Sequence, residues 1–291
     1  MPAHVSPLLV GLFDDAGMFP PARLPVADAL ARHRADRERA HSVLSGRFIA
    51  PATALADVAA QSAGDALDVV VVADVVGDEL VEWLGKAVAD DRLIVRGVEL
   101  RPMPAEAVDG AVAAVRGQFD CDVYVELPRT EAWQDVLSAI EGVAKGAGAG
   151  ANAGTGAAGA AAVGVKLRCG GATAEMFPPA PMLATWLEAV IEAELPIKAT
   201  AGLHGALPHY DVALGVHHHG FLNLLLAVRR ALAGDDAMAA LVETSVDAVV
   251  AQVRSVPDEE AHRVRAAFRG IGSCSTTEPL DDLAGLGLAA R

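Results

Sequence analysis

Short apolar segments alternate with longer amphipathic segments along most of this chain. Residues 67–73 and 122–127 have the length and Val content of buried strands, and the spacing of residues 182–195 is typical of a helix. The predicted strands are 8–13, 47–50, 67–73, 93–100, 122–127, one around Lys166, one around Lys198, and 268–272. The predicted helices are 26–39, 54–61, 78–89, 105–118, 131–145, 182–195, 220–233, 237–253, 258–265 and 280–286.

This alternation predicts a parallel sheet, because a strand, a helix and a second strand form a βαβ unit. Eight such strands in a chain of 291 residues predict an α/β fold, a single (β/α)8 TIM barrel that spans residues 1–291. An open doubly wound sheet is the alternative, but no G-x-G-x-x-G motif follows the first strand.

Two segments interrupt the alternation of strands and helices. Residues 146–162 are nearly all Gly and Ala, which predicts a flexible insertion within the domain. Residues 199–218 have no clear periodicity, and a loop of that length in a compact domain is usually functional or disordered.

Composition and charge exclude several classes of protein. The net charge of −15 argues against nucleic acid or an anionic membrane as the main partner. The apolar runs are far shorter than the ~20 residues that span a bilayer, and the N-terminus does not resemble a signal peptide. Three scattered cysteines do not make a disulfide framework or a zinc site. We therefore expect a cytoplasmic protein with a small-molecule partner, and a homo-oligomer is compatible with the composition.

Charged residues cluster at the C-terminal ends of the predicted strands, where a barrel has its active site. Lys166 and Lys198 stand on successive strands, and the period of two places each on the face opposite its aliphatic neighbours. That face is the barrel interior, where a lysine is costly unless it faces a ligand. The residues predicted at this end are Asp14, Asp15, Asp74, Glu99, Glu126, Lys166, Lys198, Ser273 and Ser275, and Arg168 shares the face of Lys166.

Two explanations of this cluster are open. The charges could pair with each other as a buried network, although buried ion pairs are a weak source of stability. Alternatively, a lysine beside another cation in a dry pocket loses its proton near neutral pH and becomes a nucleophile toward carbonyls. Nearby acids would then move the protons of the reaction.

The segments GVKLRCGGAT, PIKATAGLH and RGIGSCS resemble the sixth, seventh and eighth strands of the deoxyribose-phosphate aldolases, which are class I aldolases built on (β/α)8 barrels. The resemblance implies that Lys166 forms the Schiff base and that Lys198 promotes loss of its proton. It also implies that Glu99 replaces the family's proton-transferring aspartate and that Glu126 is its fifth-strand glutamate. A phosphate would lie against Gly202, Gly272, Ser273 and Ser275.

The chain departs from this family directly after the first lysine, where Leu167, Arg168 and Cys169 replace small hydroxyl residues and glycine. The segments LFDDAGMFPP, KATAGLH, HGFLNLLLA and GSCSTTEP resemble uncharacterised bacterial proteins, which implies no activity. Beside the phosphate site, the residues that we expect to contact substrate are Asp14, Asp15, Arg168 and His204. We expect Cys169 and Cys274 to be packing residues.

We therefore expect a Schiff-base-forming lyase or aldolase that acts on a small anionic carbonyl compound, phosphorylated or carboxylated, without a cofactor. One alternative is a metal-dependent lyase or isomerase, with Asp74, Glu99 and Glu126 around Mg²⁺ or Mn²⁺. The histidines of residues 204–219 are a further candidate metal site. The other alternative is a barrel that binds a metabolite without catalysis.

Overall fold

The computed structural model describes residues 5–39, 41–62, 66–88, 90–147 and 161–289. Its strands are β1 (Phe13–Asp15), β2 (Leu44–Pro51), β3 (Leu67–Val72), β4 (Leu93–Leu100), β5 (Asp122–Glu126), β6 (Val163–Arg168), β7 (Ile197–Thr200), β8 (His209–Asp211), β9 (Val216–His218) and β10 (Phe268–Ser273). The strands β1 to β7 and β10 close into a parallel barrel in which β10 lies between β7 and β1. The predicted (β/α)8 barrel is confirmed.

Helices surround the barrel and cover the outer faces of its strands. They are α1 (Val26–Arg39), α2 (Leu55–Gln61), α3 (Gly77–Val88), α4 (Ala105–Arg116), α5 (Trp133–Ala147), α6 (Ala180–Glu192), α7 (Phe221–Leu232), α8 (Ala237–Leu241), α9 (Val246–Ser255), α10 (Asp258–Ala267) and α11 (Thr277–Gly285). On α6, Leu183, Leu187 and Val190 recur at helical spacing and are buried. They belong to the same core as Val165 and Leu167, which face outward from β6. The side chains at alternate positions of β6 therefore remain for the barrel interior.

The predicted Gly/Ala insertion, residues 146–162, lies mostly outside the described residues. Its described ends are the last residues of α5 and the two residues before β6. In the part of the chain that the structure describes, no helix has the length and apolar character needed to cross a membrane.

The predicted first strand, residues 8–13, is wrong except at its last residue. Residues 7–11 form a turn in which Leu8 and Leu9 are buried, and Gly11 has a φ of 59°. A short apolar segment that is buried as a turn has the same composition as a buried strand, so the hydrophobic pattern does not distinguish a buried turn from a strand. The strand that follows contains Asp14 and Asp15, which the sequence placed after the strand.

Two further segments also differ from the prediction. The predicted helix 237–253 is two helices, because Ser245 accepts a hydrogen bond from the backbone N–H of Ala248 and begins α9 as its N-cap. The predicted loop 199–218 contains the antiparallel pair of β8 and β9, a small hairpin outside the barrel.

The ends of β6 and β7 approach each other at Gly202. This residue has a φ of 70°, and a Cβ atom there would lie 2.7 Å from the Cα of Gly170 and 2.8 Å from the carbonyl oxygen of Cys169. Only glycine fits this conformation and this spacing without strain.

We expect Gly202→Ala to lower the free energy of unfolding by about 2 kcal/mol or more, from the left-handed backbone and the clash together. The control is Gly110→Ala in α4, where a Cβ meets no atom within 4 Å. That variant should gain up to about 1 kcal/mol from its higher helix propensity. Urea unfolding measures both, and equal effects of the two substitutions would contradict the close approach at Gly202.

Candidate active site

Charged side chains form an alternating chain of ion pairs in the barrel interior, which we call the charge network. Successive partners lie 2.7–3.2 Å apart, measured from nitrogen to oxygen. In order, its members are Arg47, Asp14, Lys198, Glu99, Lys166, Glu126 and Arg168. Each cation therefore has at least one carboxylate partner, and each carboxylate lies between two cations.

The barrel register positions the two lysines at the centre of the network. Lys166 on β6 lies opposite Glu126 on β5 and opposite Lys198 on β7. Both lysines reach the carboxylate of Glu99 on β4, with Lys198 Nζ 2.7 Å from Oε1 and Lys166 Nζ 3.2 Å from Oε2. Lys198 is also 2.7 Å from Asp14 on β1, and Lys166 is 3.0 Å from Glu126. One carboxylate thus joins two lysines from neighbouring strands.

Paired charges keep the carboxylates of the network ionised although they are buried. Burial alone would raise the pKa of Asp14, but the charges of Lys198 and Arg47 outweigh it and hold that pKa at about 2. The lysines likewise lower the pKa values of Glu99 and Glu126 against the effect of burial. Burial would lower the pKa of Lys198, but Asp14 and Glu99 raise it instead. Lys198 is therefore a fixed cation at neutral pH.

The charge network holds one more cation than it holds carboxylates, since four cations alternate with three acids. Arginine does not lose its proton in proteins, so Arg47 and Arg168 stay charged. Lys198 also stays charged. With every member charged, the network has a net charge of +1.

A cavity of about 680 Å³ opens at the C-terminal ends of the strands, and Lys166 and Glu99 form part of its floor. Arg168 and Thr200 lie beside them, whereas Lys198 lies behind Glu99 in the interior. The apolar residues of its lining are Ala16, Phe19, Pro20, Pro21, Val72, Met176, Phe177 and Leu203. A molecule that enters this cavity meets the side chain of Lys166, in surroundings that strengthen electrostatic interactions.

The structure brings most of the predicted site residues together. The charge network contains the predicted residues Lys166, Lys198, Glu99, Glu126, Asp14 and Arg168. The predicted residues that line the cavity outside the network are Gly202, His204, Gly272 and Ser273.

Two predicted residues lie elsewhere. Asp15 follows Asp14 in β1, so its side chain points to the opposite face of the strand, where it pairs with Arg32 and His33 of α1. There it lines a separate cavity of about 270 Å³ outside the barrel. Ser275 accepts hydrogen bonds from the Ser273 hydroxyl, through its carbonyl oxygen, and from a backbone N–H of α11, through its hydroxyl.

Arg47 and Ser45 are members of the site that the sequence analysis missed. The Arg47 Nε donates to Asp14 Oδ1 at 2.8 Å, and the Ser45 hydroxyl donates to the same oxygen at 2.5 Å. Both residues share the interior face of β2 with Ile49, at a spacing of two. The alternation of side chains along β2 could have identified both residues. The predicted strand began at residue 47, so Ser45 lay outside it and the alternation was not considered there.

Two carboxylates of the alternative metal site, Glu99 and Glu126, converge on Lys166, but Asp74 does not join them. Asp74 accepts hydrogen bonds from the backbone N–H and the hydroxyl of Thr53, whereas Glu99 and Glu126 form ion pairs with Lys166. In the histidine-rich segment, the ring of His219 is 2.8 Å from the carbonyl oxygen of Pro178. Over the described ranges, no group of three His, Cys, Asp or Glu side chains is arranged to hold a metal ion.

Comparison of the sequence with family models and with curated proteins found no match. The barrel is therefore established by the structure itself. The resemblance to the deoxyribose-phosphate aldolases rests on the strand motifs around Lys166, Lys198 and Gly272.

The charge network predicts a loss of stability in acid. Because the pKa of Asp14 is about 2 in the folded protein and 3.8 ordinarily, its contribution is present above pH 3.8 and is lost as the pH falls toward 2. This contribution is about 2 kcal/mol. We expect Asp14→Asn to lower the free energy of unfolding at neutral pH by about 3–5 kcal/mol, because Lys198 and Arg47 lose a buried partner.

The free energy of unfolding in urea, measured from neutral pH down to about pH 2, tests this expectation. As the pH falls, the free energy of unfolding of Asp14→Asn should decrease less steeply than that of the unmodified protein. The exposed Asp109 provides the control, and Asp109→Asn should retain the original curve. An Asp14→Asn curve parallel to the original would contradict the assigned role of Asp14.

Proposed function

We propose that this protein is a Schiff-base-forming lyase of the aldolase type, which acts on a small anionic carbonyl compound through Lys166. The observation that carries the proposal is the position of Lys166, which is 1% exposed and yet lines the cavity between two carboxylates. Its amine would meet a bound carbonyl within reach of acids that can move protons.

The count of charges supports Lys166 as the nucleophile. An amine attacks a carbonyl only in its neutral form, and loss of the Lys166 proton leaves three cations and three carboxylates in the charge network. Lys198 occupies the other oxygen of Glu99 and so reduces the attraction of that carboxylate for the Lys166 proton. Lys198 is thus a positioning residue rather than a second nucleophile.

The reaction would proceed through an imine on Lys166. The neutral amine adds to the carbonyl carbon, the carbonyl oxygen takes a proton, and loss of water from the resulting carbinolamine gives the protonated imine. That cation draws the electron pair of the bond between Cα and Cβ of the substrate. As this bond breaks, the hydroxyl group on Cβ loses its proton to a base, Cβ leaves as an aldehyde, and the imine becomes an enamine. Protonation of the enamine at Cα and addition of water to the imine then release the second carbonyl product and free Lys166. Glu99 lines the cavity and is the acid and base for these transfers, whereas Glu126 holds Lys166 and Arg168 in place.

The charge around the cavity supports an anionic substrate. Arg23, Arg168 and His204 line it, in a chain with a net charge of −15. A hydrogen bond with Cys274 and the nearby Glu278 raise the pKa of His204 to about 9 against the effect of burial, so its ring is a cation at neutral pH. Together with Lys166, these cations outnumber Glu99 and Asp211, the carboxylates of the lining, and would attract and orient a phosphate or carboxylate group.

A purely structural role explains the charge network less well. Buried ion pairs cost desolvation and are often replaced by apolar residues without loss of stability. The chain has four lysines, and two of them are in the barrel interior while Lys86 and Lys145 are exposed and pair with glutamates on their own helices. A catalytic amine accounts for the lysine at the cavity floor.

Borohydride trapping tests the proposal. The protein is incubated with a panel of small aldehydes, ketones and 2-oxo acids, reduced with borohydride, and mapped by peptide mass spectrometry. We expect one adduct, on Lys166, which is lost in Lys166→Met because that side chain has no amine. In this variant Glu99 still forms an ion pair with Lys198, and Glu126 still forms one with Arg168, so the barrel should still fold.

The exposed Lys86 provides the matched control, since Lys86→Met should leave trapping unchanged. An adduct that is distributed over Lys86 and Lys145 as well would mean surface chemistry. No adduct on Lys166 from the whole panel, with the barrel folded by circular dichroism, would contradict the proposal.

The role of Lys198 is tested by the rate of trapping. In Lys198→Met the network has no excess cation, so both Glu99 and Glu126 hold the proton on Lys166. We expect the rate of adduct formation near neutral pH to fall by about tenfold or more. Lys198→Arg keeps the charge and should restore part of the rate. Equal rates in Lys198→Met and the unmodified protein would contradict this role.

A further inference from the structure

A second group of reactive side chains lines the same cavity. Cys274 directly follows β10, His204 lies in the loop after β7, and Glu278 lies in the first turn of α11. The Sγ atom of Cys274 is 3.7 Å from Nε2 and 3.9 Å from Nδ1 of His204. Nδ1 of the same ring is 2.9 Å from Oε2 of Glu278. Both Cys274 and His204 line the cavity.

The chemistry of these groups assigns a role to each ring nitrogen of His204. A carboxylate only accepts hydrogen bonds, so Nδ1 carries the proton that it shares with Glu278. Nε2 can then take the proton of the Cys274 thiol. Because Sγ is almost equally far from both ring nitrogens, it lies beside the ring and not in line with Nε2, so the ring or the thiol turns for this transfer. The three groups are a nucleophile, a base and a carboxylate that orients the base.

The other two cysteines have different surroundings. All three cysteines are buried, and burial raises the pKa of Cys121 and Cys169 to about 12. Cys274 instead borders the cavity, and its carbonyl oxygen accepts a hydrogen bond of 2.8 Å from Arg32 of α1, which fixes the backbone at this point. Packing therefore accounts for Cys121 and Cys169, but it does not account for a cysteine held against a histidine and a cavity.

We propose that Cys274 and His204 form a thiolate–imidazolium pair, a second nucleophilic centre of the cavity, which takes the carbonyl group of a small aldehyde. In this step the thiolate sulfur bonds to the carbonyl carbon, the π electron pair moves to the oxygen, and the His204 imidazolium gives that oxygen its proton. The product is a hemithioacetal, and the reverse step releases the aldehyde unchanged. The choice of an aldehyde rests on the proposed function, whereas the ion pair does not.

Ionisable groups from several elements surround the pair. Glu278 of α11 contacts the ring directly, and Arg32 of α1 contacts the backbone of Cys274. His218 and Asp211 of the β8–β9 hairpin line the same cavity. Burial, the charge of His209 and, to a smaller extent, the charge of His204 lower the pKa of His218. Glu278 favours the imidazolium, so its loss should weaken the pair but not abolish it.

Alkylation with iodoacetamide tests the ion pair, with peptide mass spectrometry to follow each cysteine. At about pH 6 a thiol without a cationic partner is almost entirely protonated. We expect Cys274 to react at least about tenfold faster than Cys121 and Cys169, and its rate to fall about tenfold or more in His204→Gln. The rate of Cys274 alkylation in Glu278→Gln should lie between the rates in His204→Gln and in the unmodified protein.

The difference between His204→Gln and the unmodified protein should disappear near pH 10, where an accessible thiol ionises without help. His217→Gln, at an exposed position of β9, is the control and should leave the rate unchanged. Equal rates of Cys274 alkylation in His204→Gln and the unmodified protein near pH 6 would show that only accessibility matters, and would overturn the ion pair whatever borohydride trapping gives.

The aldehyde is tested in Lys166→Met, in which no imine forms at the cavity floor. We expect glycolaldehyde to slow the alkylation of Cys274 in this variant, and ethylene glycol, which has a similar size but no carbonyl, to have no effect. Equal effects of the two compounds would overturn the aldehyde as the ligand. Because this experiment lacks Lys166, its failure is distinct from failure of the proposed lyase.

Discussion

The carboxylate of Glu99, shared between two lysines in the interior of a closed barrel, is the interaction on which the site depends. A buried charge is tolerated only beside an opposite charge, so each lysine must have a carboxylate from another strand. Glu99 meets this need for Lys166 and Lys198 at once, and Asp14 and Glu126 extend the alternation toward either side. The network ends at Arg47 and Arg168, whose side chains are 26% and 32% exposed, so its outermost charges are partly hydrated.

The chemistry that we propose follows from where this alternation meets the cavity. Lys198 lies behind Glu99, and its pKa is raised by its two carboxylates, whereas Lys166 is at the cavity floor. The apolar side chains of the cavity lining would reduce the water around a bound carbonyl group, and the cations of the lining would attract its anionic group. The Cys274–His204 pair lies at the same opening. A single cavity would then present an amine and a thiolate to one small molecule.

The sequence predicts which residues of a strand face the barrel interior, but it does not predict which charged residues form ion pairs with each other. A spacing of two placed Lys166 and Arg168 on one face of β6 because Val165 and Leu167 occupy the other. The place of Arg47 in the site was not predicted, because β2 begins at Leu44, three residues before the predicted start of the strand. The turn at residues 7–11 was predicted as a strand because both structures bury an apolar run. The ion pairs of Asp14 with Lys198 and of His204 with Glu278 join residues distant in sequence, so only tertiary structure defines them.

A crystal structure of the protein, reduced with borohydride in the presence of a carbonyl compound that it traps, would show directly whether Lys166 is the nucleophile. We predict continuous electron density from Nζ of Lys166 into the cavity, with Lys198 still between Asp14 and Glu99. Density that begins at Lys198, or a bound compound in the cavity beside an unmodified Lys166, would contradict it.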